Sequence, residues 1–185
     1  MIIDPGDEID HILSIVERHG LTVKQIVITH AHIDHVGGAM KLKQATGAPI
    51  LLNQNDYELI KMLDVQATWI GMRPPEPVAI DTSITTGDKV TAGNVVADVL
   101  HTPGHTEGSV CLYFEAEKKL IAGDTLFAGS IGRTDLPGGD YEQIEQSIRT
   151  KLYTLEDDLV VFPGHGQPTT IAEEKYENPF VNVEE

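Results

Sequence analysis

Residues 28–38 read Ile-Thr-His-Ala-His-Ile-Asp-His-Val-Gly-Gly, which places three of the chain's eight histidines and one aspartate within six positions. Imidazole and carboxylate are donors that Zn²⁺, Fe²⁺ and Mn²⁺ all accept. In an extended chain residues two apart share a side, so His30, His32 and Asp34 can converge while His35 points elsewhere. One loop can thus feed two neighbouring metals, and Gly37 and Gly38 let the backbone turn sharply behind it. A surface histidine patch or a helix cap is the plain alternative for such a string taken alone.

Three later segments carry more donors of the same kinds: "HTPGHT" (101–106), "AGDTLF" (122–127) and "PGHG" (163–166). Each follows a stretch that reads as a strand. Side chains at the same end of several strands converge in space, which is how scattered ligands assemble on a rigid scaffold.

The elements that must position them alternate along the chain. Asp7 is expected to cap a helix to about His19, with Ile9, Ile12, Leu13 and Val16 on one face and Gly20 as the stop. Residues 25–29, "QIVIT", read as a short buried strand leading into the histidines. Residues 38–46 read as a short helix ended by Gly47, 48–52 as a strand, and 55–63 as a helix capped at Asn55. Residues 71–88, with three prolines between 74 and 77, read as loop and as a rim over a site. Strands are expected at 94–100, 109–114 and 119–124, pairing antiparallel, and a last one from 159 into the turn at 166. Asp140 with Gln143 predicts a capping box for a helix to Leu152, carrying a stripe of Tyr141, Ile144, Ile148 and Leu152. Helices at both ends with strands between, many of them apolar on both faces, point to an α/β (α+β) four-layer αββα sandwich.

Composition narrows the class. A length of 185 residues suits one domain over 1–185, and 41% hydrophobic with 23% charged residues is a globular balance. No run approaches the ~18 apolar residues of a spanning helix and no leader-like segment opens the chain, so a soluble, cytoplasmic protein with no membrane partner is expected. Cys111 is the sole cysteine, which excludes an internal disulfide and a zinc site built mainly from thiolates. Metal ligands must then be His and carboxylate. A formal net charge of −16 argues against nucleic-acid binding, and a small anionic substrate needs a local positive charge.

With these motifs in this order the chain resembles the metallo-β-lactamase superfamily, in particular its short, bacterial glyoxalase II-like (hydroxyacylglutathione hydrolase-like) branch. The resemblance runs from "IIDPG" at residues 2–6 to "NPF" at 178–180. It implies the αββα fold, and it implies two divalent metal ions: His30, His32 and His105 for the first, Asp34, His35 and His165 for the second, with Asp124 as the bridge. Zinc is the expected metal, and iron or manganese suits the same donors. Asp4 corresponds to an aspartate that supports a ligand histidine from behind. His101 lies in the motif but is expected to pack rather than bind. His11 and His19 fall on a solvated helix face, and Cys111 is expected to be buried and inert.

The function implied is a metallo-hydrolase in which a metal-bound hydroxide attacks a thioester, S-2-hydroxyacylglutathione, with Asp34 and Asp124 in the catalytic centre. No serine elbow or cysteine at a helix start supports covalent catalysis. Arg133 of "GRTDLPGG" is the expected contact to the anionic substrate, against the alternative of a surface arginine paired with Asp135 or Asp140. The branch also implies a domain without the C-terminal helical domain of the larger glyoxalases II. Relatives usually begin with an additional β-hairpin, which this chain lacks, so a second copy is expected to cover the sheet edge as a homodimer; a monomer by light scattering at micromolar concentration would contradict this. Other readings are a mononuclear-iron persulfide dioxygenase using His30, His105 and Asp124, a lactone or β-lactam hydrolase, and a metal-binding protein without turnover.

Overall fold

A computed structural model describes residues 1–183. Its contacts divide it into two compact units, one of Met1–Ile84 with Thr91–Gly93, the other of Thr85–Val90 with the described residues from Asn94 on.

The first unit is built on a parallel sheet. Its elements are β1 (Ile2–Ile3), α1 (Ile9–Arg18), β2 (Ile26–Val27), α2 (Ile33–Val36), α3 (Ala39–Thr46), β3 (Ile50–Leu52), α4 (Tyr57–Ile60), α5 (Leu63–Ile70) and β4 (Thr82–Ser83). The strand order is β1-β2-β3-β4, every pair parallel. All four strands therefore deliver their carboxyl ends to one end of the sheet. Ile26, Ile28, Ile50 and Leu52 pack with Ile9 of α1, Ala39 and Leu42 of α3 and Leu63 and Ala67 of α5. Val27 and Leu51, which alternate with them, are buried as well, so the sheet is apolar on both faces.

Helix boundaries follow the expected punctuation with three differences. Gly20 and Gly47 stop α1 and α3 with φ of 60° and 72°. Asp7, however, accepts from the Glu8 amide at 2.7 Å, and Glu8 takes the cap position without a side-chain bond, so α1 starts one residue late. The helix expected over 55–63 is instead a 3-10 turn (Gln54–Asp56) followed by α4, and its cap is Asn53, whose side chain accepts from the Asn55 amide. Asn53 holds the extended backbone at the end of β3, which a cap requires. The sequence of α5, "LDVQATWI", is rich in β-branched residues and was not expected to be helical; burial of Leu63, Gln66 and Ala67 overrides that weak propensity. β1 was likewise not expected.

The second unit carries β5 (Lys89–Ala92, at the division), β6 (Val95–His101), β7 (Val110–Phe114), β8 (Lys119–Gly123), β9 (Leu126–Phe127), β10 (Ser130–Ile131), α6 (Tyr141–Ser147), β11 (Val160–Pro163), β12 (Thr169–Thr170) and α7 (Ile171–Glu177). Its main sheet has the order β12-β11-β8-β7-β6-β5. β7 is antiparallel to β6 and β8, and β11 is parallel to β8, so β6, β8 and β11 run the same way. Cys111, Leu120, Ala122 and Val161 face Ile144, Ile148 and Leu152 in one core, while Val110, Leu112 and Phe114 are buried on the other face.

Asp140 caps α6, accepting from the Gln143 amide at 3.0 Å. The helix widens into a π turn over Ile148–Leu152, which keeps the i, i+4 series Ile144, Ile148 and Leu152 on one buried line. Tyr141 was expected on that line and is not: it is 44% exposed, and its hydroxyl donates to the Phe180 carbonyl.

Cys111 is fully buried, and burial pushes its thiol up to about 11, partly offset by hydrogen bonds from Thr102 and Thr125. At pH 8 almost no thiolate forms, so Ellman's reagent is expected to leave the native protein unmodified and to titrate one thiol in denaturant. Rapid native-state modification would contradict this burial.

Candidate metal centre

Parallel strand ends explain the placement of the first group of donors. β2 ends at Val27, and the next residues carry Thr29, His30 and His32 away from it. The rings of His30 and His32 meet edge to face at 4.9 Å, and those of His30 and His35 lie 4.1 Å apart. His35 therefore joins the cluster by the first turn of α2, not by the extended spacing that brings His30 and His32 together. Asp34 Oδ2 lies 3.7 Å from His35 Nε2 and is 46% exposed, against 3% for His35.

Asp4, at the end of neighbouring β1, organises these imidazoles. Its Oδ1 accepts from the Thr29 amide and its Oδ2 from the Thr29 hydroxyl, each at 2.7 Å, and Oδ2 lies 2.9 Å from His35 Nδ1. A carboxylate can only accept, so His35 Nδ1 carries its hydrogen and Nε2 presents the lone pair. The Thr29 hydroxyl, having donated to Asp4, accepts from His30 Nδ1 at 3.1 Å, and the same tautomer follows for His30. Asp4 has a φ of 48°, a left-handed conformation that short polar side chains tolerate. That bend seats the following turn on the histidine segment: the Gly38 amide donates to the Pro5 carbonyl at 2.9 Å.

The second unit gathers the remaining donors by the same logic. His105, Asp124 and His165 follow β6, β8 and β11, the three strands that run the same way. Asp124 Oδ2 lies 3.7 Å from His105 Nε2 and 3.7 Å from His165 Nε2, so one oxygen faces two imidazole nitrogens. That is too long for hydrogen bonds, yet near the separation of about 3.3 Å between ligands on one tetrahedral ion with bonds of about 2.05 Å. His105 Nδ1 donates to the Arg133 carbonyl at 2.8 Å, which again leaves Nε2 for ligation. Pairing of β8 with β11 skips Ala122, a bulge just before Asp124 that re-aims the chain at the site. Within the first unit buried His30 and His35 thus present Nε2, and within the second buried His105 presents Nε2 beside Asp124, donors of the kind that divalent metal ions accept.

The remaining candidates are placed as follows. Arg133 is exposed, and its guanidinium makes a bidentate pair with Asp135 at 2.8 Å for both bonds, holding that carboxyl down to about 2. His101 Nε2 lies 2.8 Å from the Glu107 carbonyl, within the loop that carries His105. His11 and His19 are exposed.

Sequence reasoning missed Thr29, the main-chain role of Arg133, and a buried clamp centred on Glu174. The Glu174 carboxylate accepts from the Gly129 amide, the Thr169 hydroxyl and the Asn178 amide, and Asn178 also donates to the Ser130 carbonyl. This clamp fixes the β9–β10 hairpin that leads into Gly132 and Arg133. The i, i+4 spacing of Glu174 and Asn178 was the one available signal. Glu174→Leu is expected to cost about 3 kcal/mol of stability in urea denaturation, because several buried donors lose their acceptor; a change below about 0.5 kcal/mol would contradict it.

Residues 1–165 match the metallo-β-lactamase superfamily. The chain belongs to this superfamily of metallo-hydrolases. It has the metallo-β-lactamase fold, which typically binds two metal ions. The chain is 43% identical over 184 residues to hydroxyacylglutathione hydrolase GloC of Haemophilus influenzae, spanning 98% of this chain and 86% of that protein. It superposes on a crystal structure of TTHA1623 in a di-iron-bound form with a TM-score of 0.90 at 37% identity, over 96% of this chain and 87% of the other. BLEG-1 B3 metallo-β-lactamase gives a TM-score of 0.89 at 36% identity, over 97% and 87%. Among the described residues no helix is long and apolar enough to cross a membrane.

Proposed function

We propose that this metallo-β-lactamase superfamily member is a thioester hydrolase acting on S-2-hydroxyacylglutathione, with His30, His32, His105, Asp34, His35 and His165 holding two divalent ions and Asp124 shared between them. The observation that carries the metal reading is the single oxygen of Asp124 facing both His105 and His165. The identity to the Haemophilus protein supports the substrate.

When bound, a pair of such ions supplies a hydroxide nucleophile at neutral pH and polarises the acyl carbonyl. The chain's own residues do the rest. Asp4, Thr29 and the Arg133 carbonyl hold hydrogens on the Nδ1 atoms of His35, His30 and His105, so that each Nε2 stays a donor of electrons. Asp34, the more exposed carboxylate, accepts a hydrogen bond from the attacking water and orients it. That water would lose one proton to solvent and attack as hydroxide, its oxygen bonding to the acyl carbon. The carbon–sulfur bond then breaks with its electron pair on sulfur, the thiolate takes a proton from solvent, and the products are a hydroxy acid and glutathione. The leaving thiolate has a pKa near 8.5 and needs little protonation, which agrees with the absence of a dedicated acid from the proposed set.

Arg133 exchanges its Asp135 partner for a substrate carboxylate in this reading. Arg133→Met is expected to raise KM up to about fivefold with kcat unchanged, the size of an exposed ion pair. An unchanged KM would remove Arg133 from the substrate site.

Elemental analysis with parallel assays of lactoylglutathione hydrolysis and of oxygen uptake on glutathione persulfide tests the activity. Thiol release with no oxygen uptake is expected; one iron per chain with oxygen uptake and no hydrolysis would overturn it. The likeness to BLEG-1 favours β-lactam hydrolysis as a second reading, for which turnover of nitrocefin faster than the thioester is the deciding result.

A further inference from the structure

We propose that Gln66 and Asp56 are positioning residues for the metal-binding segment, replacing the strand neighbour that this segment loses. The inference rests on His30 and His32 being metal ligands. Up to residue 28 the backbone of β2 is held by its neighbours: the Ile26 and Ile28 amides donate to Pro49 and Leu51, and the Asp4 amide donates to Val27. Beyond that point the ladder stops, because a segment whose side chains converge on ions cannot also lie flat in a sheet. Its alternate amides pass to side chains. Thr29 donates to Asp4, Ala31 donates to Asp56 Oδ2 at 2.9 Å, and Ile33 donates to Gln66 Oε1 at 2.9 Å.

Gln66 grips the chain on both sides of His32. While its oxygen accepts from the Ile33 amide, its nitrogen donates to the Ala31 carbonyl at 3.2 Å and to the Leu59 carbonyl at 3.2 Å. One amide thereby fixes the peptide groups before and after a single histidine. Both Gln66 and Asp56 are buried, at 4% and 0% exposure, and an uncompensated polar group there would be costly. An apolar residue would fill the same space, so the polar choice is explained by what these groups hold. Through the amides of residues 31 and 33 and the Ala31 carbonyl they act on the backbone beside His30 and His32.

Metal-free wild type, Gln66→Met, Asp56→Leu and Asp56→Asn are titrated with cobalt(II) against a chromophoric chelator, recording the visible spectrum of the bound ion and the melting temperature of each metal-free form. Gln66→Met and Asp56→Leu are expected to bind cobalt about 10- to 100-fold more weakly, with altered absorption bands. Asp56→Asn keeps an oxygen for the Ala31 amide and is expected to restore most of the affinity. If either apolar variant fails to fold, the other carries the comparison. Variants that melt lower but bind cobalt with wild-type affinity and spectrum would overturn this inference alone. A wild type that takes up no cobalt would overturn the metal reading, and this inference with it.

Discussion

Asp124→Asn is expected to lower thioester hydrolysis by about 10³-fold or more and to leave the dialysed protein short of metal. The amide matches the carboxylate in shape but carries no charge, and in the native chain one oxygen faces Nε2 of both His105 and His165 at 3.7 Å. In the proposed two-ion reading, losing the charge would weaken the hold on both ions at once. Stabilisation of transition-state charge by such ions amounts to several kcal/mol, and about 4 kcal/mol corresponds to that thousandfold. Steady-state kinetics with elemental analysis checks it. A variant with wild-type rate and metal content would show that Asp124 is not shared between ions.

Gly6→Ala is expected to be nearly as damaging without touching a ligand. A Cβ on Gly6 would lie 1.7 Å from the Asp34 carbonyl oxygen and 2.5 Å from its carbon. Both are backbone atoms, which cannot swing aside as a flexible side chain can, so the turn and the histidine segment must separate. Overpacking of this kind costs up to about 3 kcal/mol, and a displacement of about 1 Å at reacting groups can cost about 100-fold in rate. Denaturant unfolding and kcat/KM should both fall. Unchanged stability together with unchanged rate would mean that the turn does not brace this segment. Gly132 is a parallel case, its Cβ falling 1.8 Å from the Asp124 carbonyl oxygen.

The candidate donors stand out in the sequence because their chemistry is narrow and their places follow strand ends. Extended spacing rightly joined His30 to His32 but set His35 apart, whereas the first turn of α2 returns it to the cluster. The β6, β7 and β8 run is visible from its alternation and short turns. What escaped reading acts through the backbone. Asp56 and Gln66 take amides from residues 31 and 33, contacts that leave no local pattern, since any buried acceptor in reach would serve. The Arg133 carbonyl on His105 is invisible for a stronger reason, as every residue has one. α5 was hidden by β-branched residues whose mild helix penalty burial outweighs. Tyr141 shows the converse error: helical spacing put it on the stripe, but at the first position of α6 its ring stays in solvent.

The most direct test of the account is to titrate metal-free protein with zinc while following thiol release from S-lactoylglutathione. The account predicts no release without metal and a rate that climbs to a plateau at two ions per chain. A protein that fills to two ions and releases no thiol, or that releases thiol at full rate with none, would contradict it.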